Sequence, residues 1–72
     1  MTASGLRDIA SAGGNVIVDA CQYSASDLRY IAEAGKKKEA KLSIKNAKKL
    51  STSDCRYIAL ENPGNVEFDF SE

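Results

Sequence analysis

The sequence predicts an α/β fold: three helix–strand units forming a short solenoid, with a three-stranded parallel sheet in the order 1-2-3 and all helices on one face. Three observations carry this expectation. A nine-residue segment recurs, each copy opens on a residue suited to cap a helix, and each is followed by a short alternating run. Residues 24–32 read SASDLRYIA and residues 51–59 read STSDCRYIA, while a diverged copy, TASGLRDIA, occupies residues 2–10. Recurrence at a spacing of about 20–50 residues is the mark of stacked supersecondary units. The units run over about 2–21, 24–47 and 51–71, within a single domain spanning 1–72.

Each helix is predicted from its start. Thr2, Ser24 and Ser51 stand at the same place in the three copies, and their hydroxyls suit the N-cap. Asp27 and Asp54 follow three residues after the second and third caps. They can mimic a capping box, and their charge favours the positive end of the helix dipole. Gly5 takes that place in the first copy, so the first helix should start less firmly. Leu6, Ile9 and Ala10 lie at i, i+3 and i+4, as do Leu28, Ile31 and Ala32, and Cys55, Ile58 and Ala59. That spacing puts each trio on one helical face. Gly13 and Gly35 read as left-handed C-terminal caps, and Asn62-Pro63-Gly64 as a stop signal. The helices are expected near 3–12, 25–38 and 52–61.

Each helix is followed by a strand signal. Residues 16–18, 42–44 and 66–68 put an apolar side chain at every second position. Ala20, Asn46 and Phe70 extend the inward series, and Ile17, Asp19, Ser43, Lys45, Glu67 and Asp69 face the other way. Strands joined through a helix are expected to be parallel with right-handed crossovers. In that register Asp19, Lys45 and Asp69 form a row of alternating charge across the outer face.

The strand-then-helix stretch LSIKNAKKL at residues 42–50, followed by a helix containing Ile58, resembles a leucine-rich repeat. The spacing of Asn46 and Leu50 departs from that family's consensus by a residue each, and Ala20 and Phe70 replace the asparagine in the other units. The resemblance implies binding through the exposed sheet face rather than catalysis.

Composition narrows the function. The chain has no histidine, so the usual general base for a serine or cysteine nucleophile is missing. Glycine-rich phosphate-binding patterns are also absent from the sequence. The expectation is a non-enzymatic protein with neither cofactor nor metal. Cys55 occupies the position of Leu6 and Leu28 and reads as a small core residue. Cys21 ends a predicted strand in another unit, and the two are not expected to pair. No apolar run approaches the ~20 residues of a membrane span, and no basic-then-apolar leader opens the sequence. The expected location is cytoplasmic, without membrane association.

Two surfaces remain as candidates. A three-stranded parallel sheet has two open edges and a bare face, which such sheets rarely keep. Asp19, Lys45 and Asp69 on the face, with Val66, Phe68 and Phe70 on the last strand, are therefore the expected interaction surface. The expected partner is a second copy, most simply in a homodimer, or another protein. The alternative is nucleic acid. All seven lysines lie within residues 36–49, and Lys36, Lys37, Lys38 and Lys41 are candidate anion-binding residues. Against it, no aromatic residues interleave with them and the net charge is zero. A further alternative is a small-ligand site on the charged sheet face. Arg7, Arg29 and Arg56 recur at one position, with Tyr30 and Tyr57 beside the last two. Their expected role is structural, each arginine packing its stem on a neighbouring helix and pairing with an acid.

Overall fold

Three side-chain caps start three helices. In a computed structural model, which describes residues 1–71, the Thr2, Ser24 and Ser51 hydroxyls accept hydrogen bonds from the backbone N–H of Gly5, Asp27 and Asp54 at 3.0–3.1 Å. The helices are α1 (Ala3–Ser11), α2 (Ala25–Ala34) and α3 (Thr52–Glu61). They alternate with the strands β1 (Val16–Asp19), β2 (Leu42–Lys45) and β3 (Val66–Phe68). The strands form one parallel sheet in the order β1-β2-β3. Val16, Leu42 and Val66 stand side by side in it, as do Val18, Ile44 and Phe68. The chain is therefore a mixed α/β protein of three helices on a three-stranded parallel sheet.

One layer of apolar contact holds helices to sheet. Leu28, Ile31, Leu42, Ile44 and Ile58 are each at most 2% exposed and belong to one cluster with Leu6, Ala10, Val16 and Val18. At roughly 1.5–3 kcal/mol per buried large aliphatic side chain, this cluster is the main source of stability. On the other side of β1 the pattern inverts, and Ile17 is 69% exposed. Period-two alternation thus assigns one sheet face to the helices and leaves the other open.

Several boundaries differ from the sequence reading. The second helix stops at Ala34 rather than continuing to residue 38, and Lys36–Lys38 form a separate 3-10 turn. Gly35 is right-handed (φ −84°), not a left-handed cap; Glu39 takes the left-handed conformation (φ 55°) after the turn. Gly35 is needed for a different reason. A Cβ there would sit 3.0 Å from the Ala40 Cβ and 3.3 Å from its carbonyl oxygen. Gly13, by contrast, does adopt a positive φ of 99° just after α1. Ala20 is buried as expected, but in the second and third units the inward series ends sooner. Asn46 is exposed and left-handed (φ 58°), a conformation asparagine tolerates, so that Ala47 becomes the buried residue instead. Phe70 is 50% exposed rather than inward.

One buried polar residue ties the layers together. Asn62, at the end of α3, is 1% exposed. Its Nδ2 donates to the Ala40 carbonyl at 2.9 Å, and its Oδ1 accepts from Asn65 Nδ2 at 3.0 Å. The sequence offered it only as part of a helix stop.

Candidate interaction surfaces

The outer sheet face is shaped by strand register. Asp19 lies opposite Lys45, and Asp69 follows β3, its N–H donating to the Ile44 carbonyl at 2.9 Å. With Ile17, Ser43 and Glu67, Lys45 and Asp69 line an open depression, whose floor is crossed by a hydrogen bond from Ser43 Oγ to Glu67 Oε1 (2.9 Å). The charged row is looser than expected. Among the described residues Lys45 makes no ion pair within 4 Å, and each aspartate is engaged locally. Asp69 Oδ1 accepts from the Ser71 N–H and hydroxyl. Asp19 Oδ1 accepts from Asn46 Nδ2 at 2.9 Å and from the Cys21 N–H at 2.8 Å.

These bonds favour the ionised carboxylates. The Asn46 side chain, then the Cys21 backbone, hold Asp19 below the usual carboxylate range, and Ser71 does the same for Asp69. The Cys21 thiol is pushed up by its hydrogen bond to Asp19, and the Cys55 thiol by burial. Both thiols are free. A depressed folded pKa contributes stability above the unfolded value (~3.9 for aspartate) and loses it as pH falls through the folded pKa. Replacing Asn46 with alanine is expected to move the Asp19 titration toward the ordinary value. Carboxyl NMR titration of variant and parent checks this; an unchanged Asp19 midpoint would show that Asn46 is not the cause.

The second surface is the flank formed by α3 and β3. Val66 and Phe68 are half-buried against the core, and the Phe68 and Phe70 rings stack with centroids 6.0 Å apart. On α3, Tyr57 and Leu60 are more than half exposed. Cys55 and Ala59 are half-buried, whereas Leu28 and Ala32 at the equivalent positions of α2 are 0% and 1% exposed. On the opposite flank the α1 residue Ile9 is 40% exposed, against 1% for Ile31 and 0% for Ile58 at the equivalent positions of α2 and α3. Its methyl group occupies the space a Cβ on Gly14 would need, 2.6 Å away. The spacing that puts Ile9 on one helical face with Leu6 and Ala10 gives no sign of this exposure.

Arginines stitch the helices. The Arg7 guanidinium lies 5.2 Å from the Tyr30 ring centroid and that of Arg29 lies 5.3 Å from Tyr57. Arg29 also pairs with Glu61 at 2.9 Å. Each such contact on an exposed surface contributes about 0.5–1 kcal/mol. The arginine row therefore serves helix packing, except at Arg56.

The lysines do not gather on one surface. Lys36, Lys37 and Lys38 form the exposed 3-10 turn and Lys41 precedes β2, while Lys48 and Lys49 follow its other end. Among the described residues, no three His, Cys, Asp or Glu side chains group as metal ligands, and no helix is long and apolar enough to cross a membrane. Comparison with protein-family models, curated proteins and solved structures yields no match.

Proposed function

We propose that this protein is a non-enzymatic self-assembly module, a short α/β solenoid of three units whose exposed flanks bind further copies of the chain. The observation that carries the reading is the difference in burial at equivalent positions. Positions closed in the middle unit (Leu28, Ala32, Leu42, Ile44) are partly open in the third (Cys55, Ala59, Val66, Phe68). Solenoids seal their last units with polar caps, and none covers this flank among the described residues. Parallel strands with unpaired backbone on the edge invite a further strand.

The small size favours the same reading. A domain of this length buries only about 60% of its unfolded surface, so association adds apolar burial that the monomer lacks. Light scattering across micromolar to near-millimolar concentrations is the test. The expected result is a mass above that of one chain, retained in high salt because the buried surface is largely apolar. A single-chain mass throughout would overturn the proposal.

A further inference from the structure

We propose that copies join head to tail, the α1/β1 flank of one seated on the α3/β3 flank of the next, with Arg56 paired to Asp8 and Ile9 seated against Cys55 and Ala59. The inference rests on the self-assembly reading and specifies its geometry.

The protein already contains two examples of the joint. In both, an arginine reaches forward onto the ring of a tyrosine in the following helix: Arg7 onto Tyr30, and Arg29 onto Tyr57. Arg56 is the third arginine of this row. It is exposed, and among the described residues no ion pair, hydrogen bond or ring engages it. The tyrosine position of the first unit holds Asp8, likewise exposed and without a side-chain partner among the described residues. The two positions that an internal joint pairs thus carry opposite charges at the two free flanks.

Apolar positions agree. Ile31 and Ile58 are closed in the units that follow another unit, and Ile9 alone is open. Leu6 with Ala10, and Leu28 with Ala32, are closed in the units that precede another, while Cys55 and Ala59 are only half-buried. Each flank is therefore open at positions that are closed at the internal joints. The larger side chain stands on one flank and the smaller pair on the other. Continuing the sheet register sets Val66 opposite Val16 of the next copy, as Leu42 stands opposite Val66 within one chain. A two-fold pairing of α3/β3 flanks would leave Ile9 open and give Arg56 no carboxylate from α1. Such symmetric closure was the simplest expectation from sequence, but only the head-to-tail joint uses both flanks. Heterologous joints of this kind generate rings or open filaments, so mass should climb beyond a dimer.

Charge reversal on the full chain tests the joint. Asp8→Arg or Arg56→Asp alone sets like charges against each other and should raise the concentration needed for assembly by about tenfold or more. The double variant Asp8→Arg/Arg56→Asp should recover assembly, and so should an equimolar mixture of the two single variants. Sedimentation velocity reads the mass. Circular dichroism and the thermal midpoint of dilute samples establish that each variant folds, as expected for exposed positions. Singles that assemble like the parent, or a double variant no better than the singles, would overturn the head-to-tail joint while leaving self-assembly standing. A parent that stays a single chain would instead overturn the self-assembly reading and this joint with it.

Discussion

Replacing Leu28 with alanine is expected to destabilise the protein by about 3 kcal/mol, within the ~2–5 kcal/mol range for buried leucine truncations. Leu28 is 0% exposed and lies in the middle helix, which packs against both α1 and α3. Neighbours on two sides and the sheet beneath it restrict collapse into the cavity, and incomplete collapse is what makes such truncations costly. At roughly 0.05–0.15 kcal/mol per residue, a chain this short has a few kcal/mol to about ten in total. The substitution therefore removes a large share of it. Cys55→Ala, at the same position of α3, removes only a sulfur from a half-buried site and is expected to cost under about 1 kcal/mol. Urea denaturation followed by circular dichroism measures both. It should be repeated at several protein concentrations, because assembly of folded copies raises apparent stability by mass action. Similar losses for the two variants would mean that the third unit is as closed as the second.

That comparison also marks how far the sequence reaches. Helix starts were legible because capping is local: Thr2, Ser24 and Ser51 act on N–H groups three residues away. Strand order and parallel pairing followed from the recurrence of one unit, and the sheet has that order. Helix ends were less legible. Gly35 was read through glycine's freedom to take positive φ, but the constraint there is the approach of Ala40, a contact with no local sequence mark. Asn46 continued an alternating pattern on paper. In the fold its side chain instead reaches across to Asp19, and the strand ends one residue earlier. Of the candidate surface, the strand positions Val66 and Phe68 were legible from alternation. The exposure of Ile9 and of Cys55 was hidden, since periodicity assigns a face and cannot say whether a neighbour covers it.

Asn62 is the position where one atom should matter most. Asn62→Asp keeps the shape of the side chain but replaces the amide that donates to the Ala40 carbonyl. When protonated, the new carboxyl can still donate there; when ionised, it faces a carbonyl oxygen in a site that is 1% exposed. Burial and the lost bond both disfavour the charge, so the folded pKa lies above the unfolded value of ~3.9. The sign follows. The folded variant holds its proton longer than the unfolded chain does. Its stability relative to the parent is therefore best below pH ~4 and falls as pH rises, by up to ~1.4 kcal/mol per unit, until the folded carboxyl ionises. A deficit of about 2–4 kcal/mol is expected at neutral pH, in the range for an uncompensated buried polar group or charge. The opposite trend from Asp19 and Asp69, whose depressed pKa values weaken the fold in acid, is common to both proteins and cancels in the difference. Asn62→Ala supplies the control, losing about 2 kcal/mol at every pH because nothing in it titrates. Denaturation of the three proteins between pH 4 and 8 decides the matter. A deficit for Asn62→Asp as flat as that of Asn62→Ala would mean that water reaches the site, and that the link from α3 to Ala40 is not sealed.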